Sequence, residues 1–462
     1  MDTTPSVSGG ETRYAPVPSG QFLRPGDPGY DDARRVHNAM VDKRPAVIAR
    51  CKSASDVAAA VTFARESGLE VSVRGGGHNV AGRAVVEGGV MIDLAPMQAI
   101  SVDPKARTVR VQGGALWKQV NAETQRHGLA TTGGVVSTTG VGGLTLGGGV
   151  GWLMGMYGVA IDNLLAVELI TADGRIRTVS ATSEPDLFWA VRGAGANFGV
   201  AASLEYRLHN VGPMVVGGLV AHPFERAKDI LRFYRDVMET APDELYLYAV
   251  LLHAPEGPPA KMAGIAVGHF GPESVGEAMT RPIKQFGPPV MDTVGPMSYS
   301  SVNEMLDAFY PRGILYYWKA RFLTSLSDDA IDTMLECYER CPVRTLQLAL
   351  EPFHGEVTRI PVDATAFPHR RKGHLFDILS QWTDPADTER CIAWTRETYA
   401  AMQPFMAGGR YSNYMAFDEG DAAAAAYGPN YERLRTLKSK YDPDNFFHVN
   451  LNIRPHADAA LG

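Results

Sequence analysis

Of the chain's 48 glycines, 24 fall between Gly75 and Gly199. Glycine carries no Cβ, so it is found where backbone must pass close to something or adopt dihedrals that side chains forbid. Low complexity would spread glycines evenly. Clustering means that one region of the fold is built around a close approach, and the total in 462 residues also exceeds the usual share of about 7%. The chain as a whole is 45% hydrophobic and 21% charged, the balance of a folded globule with two or three domains' worth of core.

The first half reads as short strands around this region. Ala46–Arg50 is an apolar run. Ser53 or Ser55 caps a helix whose stripe is Val57, Ala60, Val61 and Ala64. Glu70–Arg74 alternates as a strand and runs into Gly75-Gly76-Gly77-His78-Asn79. Val90–Leu94 follows, then a hairpin of Ala99–Val102 with Thr108–Gln112, and a helical period over Ala115–His127. Asp173-Gly174 sits between two strand-like runs, and Val200–Leu208 alternates again. From 214 to 400 the strand-like runs Met214–Ala221, Leu245–Leu252, Leu315–Phe322 and Thr345–Leu350 alternate with amphipathic helices. This is an α+β pattern, one antiparallel sheet with helices on one face.

A strand that ends in three glycines presents consecutive backbone N–H groups and lets a phosphate come close, which argues for a nucleotide pyrophosphate. The dinucleotide fingerprint G-x-G-x-x-G fails: from Gly75 it needs glycine at Val80, and from Gly140 at Thr145. No G-K-[ST] tripeptide completes a phosphate loop of the Walker type. A second cluster, Gly140-Val141-Gly142-Gly143 with Gly147-Gly148-Gly149 and Gly151, points to an extended ligand shared by both loops.

Other classes are set aside by composition. A net charge of −7 argues against dedicated nucleic-acid binding. No stretch approaches the ~20 apolar residues of a membrane helix. Cys51, Cys337, Cys341 and Cys391 read as ordinary thiols, with no zinc set and no disulfide scaffold, so no metal is expected. The start, MDTTPSVSGG, lacks the features of a signal peptide; a cytoplasmic protein with a loose segment 1–30 is expected. Nothing in the sequence fixes an oligomeric state.

Several motifs in order resemble one superfamily. Arg74-Gly75-Gly76-Gly77-His78-Asn79, the second glycine cluster, and Tyr157-Gly158 with Asp162-Asn163 resemble the flavin domain of the vanillyl-alcohol oxidase and p-cresol methylhydroxylase superfamily. Tyr411-Ser412-Asn413-Tyr414, Asn430–Leu434, Lys440–Pro443, Asn450–Pro455 and Phe367-Pro368-His369-Arg370 resemble its berberine bridge enzyme-like branch. The resemblance implies an FAD-binding domain of p-cresol methylhydroxylase type over 31–212, an inserted substrate domain over 213–405 whose sheet roofs the flavin, and a segment 406–462 returning to the FAD domain. It implies FAD bonded covalently through His78, with Arg74, Gly75, Gly76, Gly77, Asn79, Gly134, Gly140, Gly143, Gly148, Val200, Asn413, Asn450 and Asn452 around it. Many members make a second flavin link through a cysteine that is Val136 here, so a single link through His78 is expected. The P-Y-G-G motif of relatives reads Pro352-Phe353-His354-Gly355, which weakens any transfer of substrate.

The resemblance also suggests the chemistry: an FAD-dependent oxidase that takes a hydride from a small-molecule C–H and uses O2, giving H2O2, in the tailoring of a secondary metabolite. A sugar or alcohol oxidase, a dehydrogenase with another acceptor, and a catalytically silent flavin-binding protein are the alternatives. Tyr414 aligns with a tyrosine that serves as base in some relatives. A phenol of pKa ~10 must be tuned down for that task, with Lys319 or Arg370 as conceivable cations. Of the acids Glu351 and Glu356, Glu351 is favoured to face the flavin. Thr139 and Val141 lie in the loop that borders the flavin's oxygen-reacting face in relatives. Tyr246, Tyr248, Tyr317, Trp318 and His354 are candidates for the substrate pocket.

Overall fold

A computed structural model of the chain describes residues 22–254, 257–258, 260–419 and 422–456. Of the segment expected to be loose, residues 1–21 lie outside the described residues. The remainder is ordered: Phe22–Leu23 pairs antiparallel with Val47–Arg50, and Tyr30–Arg34 is helical.

A four-stranded sheet opens the fold, in the order Phe22–Leu23, Val47–Arg50, Val90–Asp93, Val71–Arg74, with its last three strands parallel. The crossover is the helix Ala54–Glu66, where Ser53 caps by accepting from the Asp56 N–H, and Val57, Ala60, Val61 and Ala64 are buried as the stripe requires. A five-stranded antiparallel sheet follows, ordered Ile100–Asp103, Thr108–Gln112, Val200–Arg207, Leu164–Ile170, Ile176–Ser180. The turn at Asp173-Gly174 closes its last hairpin as the sequence signals.

The third sheet is antiparallel and has eight strands. Its central path runs Met214–Pro223, Lys261–His269, Leu245–His253, Gln347–Phe353, Gly373–Trp382, Leu315–Leu323. Strand alternation divides its residues between two surfaces. Leu245, Leu247, Ala249 and Leu251 pack with Leu348, Leu350, Phe376 and Ile378 against Ala227–Glu239, Asp328–Glu339 and Thr388–Met402. Tyr246, Tyr248, Ala349, Leu375, Leu379, Tyr316 and Trp318 turn the other way, toward the glycine-rich half.

The chain's end returns to that half. Lys438 Nζ, fully buried, donates to Asn197 O, Asp442 Oδ2 and Phe447 O, and Ile453 N donates to Asn197 Oδ1. Asn413 Nδ2 donates to Leu144 O. Gly149 N and Val150 N donate to the Tyr411 hydroxyl.

Candidate active site

The two glycine clusters touch. A Cβ on Gly76 would lie 2.6 Å from the Gly140 backbone nitrogen, so neither loop tolerates a side chain at the crossing. Gly77 then turns with φ +67°, a left-handed conformation that glycine adopts without strain. The second cluster is not loop throughout, since Val141–Leu146 forms a short helix. Between the clusters and the third sheet runs one cleft, about 1630 Å³ counted out to its mouth. It is long, running from the first glycine cluster to the third sheet, and both clusters and the sheet contribute to its lining.

Many of the expected residues lie on its wall: Gly75, Gly76, Gly77, His78, Asn79, Gly134, Thr139, Gly140, Gly143, Val200, Asn413, Asn450, Tyr248, Trp318, Glu351 and Tyr414. Val136, in the cysteine position of relatives, lines it too, and the four cysteines do not.

Other expectations need correction. Arg74 is not on the wall. Its guanidinium is buried against Asp93, at 2.6 Å and 2.9 Å, and braces the loop from behind. Gly148 packs under the Phe367 ring, where a Cβ would come within 2.6 Å. Asn452 also lies off the wall, and Leu451 takes that place. Val141 is fully buried in the core around Trp117 rather than facing the cleft, because it opens the short helix and points into the domain. Tyr317 falls on the helix-covered surface of the sheet by strand parity, and its hydroxyl donates to Asp418 Oδ2 at 2.7 Å. His354 lines a separate cavity with Lys372 and His374. Tyr246 is buried behind the wall and reaches the site only through Glu351. The 411–414 segment is a 3₁₀ turn rather than extended, so Asn413 and Tyr414 share the cleft. Glu356 begins a short helix and pairs with Arg359 at the surface.

Glu351 is 2% exposed, and Tyr414 donates to its Oε1 at 2.9 Å while Tyr246 donates to its Oε2 at 3.3 Å. Burial raises its pKa to about 7, against the hydrogen bonds that favour the ionised form. Tyr414 moves opposite to the expectation. Burial and the Glu351 charge push its pKa well above 10, so the phenol stays protonated and acts as a donor. The cations that would have lowered it are engaged elsewhere. Lys319 Nζ lies 3.2 Å from Asp418, and Arg370 holds Asp162 through two hydrogen bonds of 2.7 Å and 2.8 Å.

Four residues escaped the sequence reading. Tyr310 and Leu379 line the cleft, and Arg83 reaches it from the turn after the first loop. Asp377 lies beside Glu351 on the neighbouring strand. A lone acid in the run Leu375-Phe376-Asp377-Ile378-Leu379 is the signal the sequence carries for the last. Nothing marks Arg83 in advance.

The cleft fits FAD on two observations. The Arg83 guanidinium has no hydrogen bond or ion pair among the described residues, although burial disfavours its charge, and a diphosphate supplies the missing anion. His78 Nε2 is buried without a hydrogen-bond partner. Burial lowers the His78 pKa to about 4, so the ring is neutral at neutral pH and its nitrogen keeps a free lone pair. The ring is held flat against His37, with centroids 4.1 Å apart.

A glycine-lined cleft under a sheet that carries a buried acid fits the class that the comparisons show, an FAD-linked oxidoreductase. Residues 45–180 match the family described as FAD binding domain, and residues 410–454 the one described as Berberine and berberine like. An FAD-linked oxidoreductase of Dictyostelium discoideum is 31% identical over 440 residues, covering 94% of this chain and 95% of that one. (R)-6-hydroxynicotine oxidase of Paenarthrobacter nicotinovorans is 31% identical over 463 residues, covering 94% and 97%. The crystal structure of 6-hydroxy-D-nicotine oxidase from Arthrobacter nicotinovorans superimposes with a TM-score of 0.87 at 29% identity, covering 97% of this chain and 100% of that one. The chain belongs to the berberine bridge enzyme-like family of FAD-linked oxidoreductases.

Among the described residues, no helix is long and apolar enough to cross a membrane.

Proposed function

We propose that the protein is an FAD-dependent oxidase that acts on a small cyclic amine or an alcohol, with Glu351 as the base and His78 as a single covalent tether. The observation that carries this is Glu351 itself, a buried carboxyl on the cleft wall whose pKa burial raises to about 7 and which makes no ion pair among the described residues. A general base works best with a pKa near the operating pH. FAD bound there would supply a two-electron acceptor for a substrate C–H, with O2 as the final oxidant and H2O2 as the product. The chain's own residues do the rest. Glu351 takes the proton from the substrate's N–H or O–H. Tyr414 holds the carboxylate in place through its 2.9 Å hydrogen bond. Trp318, Tyr248 and Tyr310 supply aromatic walls that exclude water and favour an amine cation before deprotonation.

The amine is favoured over an alcohol by the similarity to (R)-6-hydroxynicotine oxidase and by the aromatic lining around Glu351. The same acid and phenols accept the hydroxyl of a sugar or simple alcohol, so that class is the second to test. Thr139, small and on the cleft wall, leaves room for O2. Arg83, Asn79 and the Gly75–Gly77 backbone hold the diphosphate, and Gly140, Gly143, Asn413 and Asn450 hold the rest of the cofactor. In this reading the flavin is gripped by 31–212 together with 406–462.

The test is anaerobic bleaching of the flavin by a panel of cyclic amines, primary alcohols and oligosaccharides, followed by admission of air. The reading expects bleaching by an amine and stoichiometric H2O2 on reoxidation. Bleaching without H2O2 assigns another acceptor, and no bleaching by any class removes the oxidase reading.

A further inference from the structure

Asp377 is enclosed at 1% exposure, and neither carboxyl oxygen meets an N–H or O–H donor among the described residues. Burying an ionised carboxylate without donors is strongly unfavourable. Asp377 sits on Gly373–Trp382, and Glu351 on the adjacent Gln347–Phe353. The register pairs Ala349 with Asp377 and Glu351 with Leu375, so the two acids are diagonal neighbours on one face. Diagonal neighbours on one face lie within side-chain reach of each other, and two carboxylates so placed cannot share a hydrogen bond without a proton between them.

We infer that Asp377 is held as a neutral acid whose O–H donates to Glu351, making it the third donor to the base alongside Tyr414 and Tyr246. Burial and the Glu351 charge both push the Asp377 pKa up, in keeping with that state. Among the described residues, the titratable groups on the pair's side of the sheet that feel its charge are phenols: Tyr246 and Tyr248 from one strand, Tyr310 from the loop before another, Tyr411 just before the 3₁₀ turn and Tyr414 within it. Each has its pKa raised, so each stays protonated, and none supplies a positive charge. Without a cation, hydrogen bonds are what keep Glu351 ionised at neutral pH in a buried position. Asp377 does not line the cleft, so it is a positioning residue that acts through Glu351. An acid kept neutral by an apolar site so that it can donate is known chemistry, and here it would serve a base instead of a substrate oxygen.

The proton count is simple. At rest the pair holds one proton, on Asp377. The substrate's N–H or O–H proton goes to Glu351, so the pair holds two during turnover and releases one to solvent afterwards. Apparent pKa values from kinetics belong to the pair.

The inference rests on Glu351 acting on the substrate, and the experiment separates the two. The flavin-loaded wild type, Asp377→Asn, Asp377→Leu and Glu351→Gln are compared by pH-dependent flavin reduction and by infrared spectroscopy. Asp377→Asn keeps an N–H donor, so its reduction rate and pH profile stay within about twofold of wild type. Asp377→Leu has no donor, so the acid limb moves up by about one pH unit and reduction slows about tenfold below it. The infrared band of a protonated carboxyl, sensitive to D2O, is present in wild type at pH 8 and absent from Asp377→Asn.

A wild type without that band, or an Asn variant as impaired as the Leu variant, overturns the inference. If Asp377→Leu does not fold, the band and the Asn profile still decide. If Glu351→Gln reduces flavin at the wild-type rate, the assignment of the base fails, while the infrared result still reports on Asp377.

Discussion

The cleft has two walls of different construction. The lower wall, from Gly75 to Val150, is rich in glycine; the upper wall, on the third sheet, carries Tyr248, Trp318, Glu351 and Leu379 and no glycine. Backbone binding demands glycine at fixed places, so it leaves a mark in the sequence. Gly76 and Gly140 are the clearest case, two glycines 64 positions apart whose backbones meet. Side-chain binding leaves no such mark, because what faces the cleft depends on strand parity and on what packs behind. Tyr316, Tyr317 and Trp318 are consecutive aromatics, yet only the first and third turn toward the cleft.

His78→Ala has the largest expected effect on the lower wall. Wild-type protein stays yellow after denaturation and precipitation, and the variant releases all of its flavin. Free FAD from the denatured wild type would contradict the tether.

On the upper wall, Tyr414→Phe removes one donor from Glu351. Flavin reduction at pH 7 is expected to fall about tenfold, the loss of a charge-assisted hydrogen bond of roughly 1.5–3 kcal/mol at its lower end. In the wild type the rate rises with pH through about 7, where Glu351 ionises. Stability runs the other way. The folded state holds the Glu351 proton to higher pH than the unfolded chain does. This contribution is therefore full below about 4.5 and is lost as pH rises through about 7. A pH–rate profile with no acid limb near 7 would break this assignment.

Gly76→Ala tests the crossing of the loops. An added methyl 2.6 Å from the Gly140 backbone has no flexible side chain to displace, so a loss of about 1–3 kcal/mol and poorer FAD loading are expected in thermal unfolding and absorbance. Tyr317→Phe should do least. It removes a hydrogen bond to Asp418 on the far surface of the sheet, costing about 1 kcal/mol, with flavin reduction within twofold of wild type. A large drop in reduction would mean that the two surfaces of the sheet are coupled.

These differences also explain what could be read in advance. The strand–helix–strand of 46–74, the hairpin at Asp173-Gly174 and the cofactor loops follow from local pattern, and all are present. Helices against one surface of the antiparallel sheet also follow, because Leu245, Leu247, Ala249 and Leu251 are as apolar as that packing requires. Val141 and His354 were misplaced because a helix start and a strand end, neither visible locally, turn them away from the cleft. The Tyr414 pKa runs opposite to the expectation because its surroundings include Glu351 and Asp377, which lie on strands distant in sequence. Strand Gly373–Trp382, which brings Asp377 to Glu351, has apolar residues on both surfaces, so no alternation announces it.

The most direct test is anaerobic stopped-flow reduction of the flavin in wild type and Glu351→Gln with a substrate found by bleaching. General-base catalysis of this kind is worth about 10²–10⁴-fold. The expected result is a loss of that size in the reduction rate, with flavin content, substrate binding and the covalent link unchanged. Reduction of the variant within a few-fold of wild type across pH 6–9 would contradict the account, because Glu351 could not then be the base.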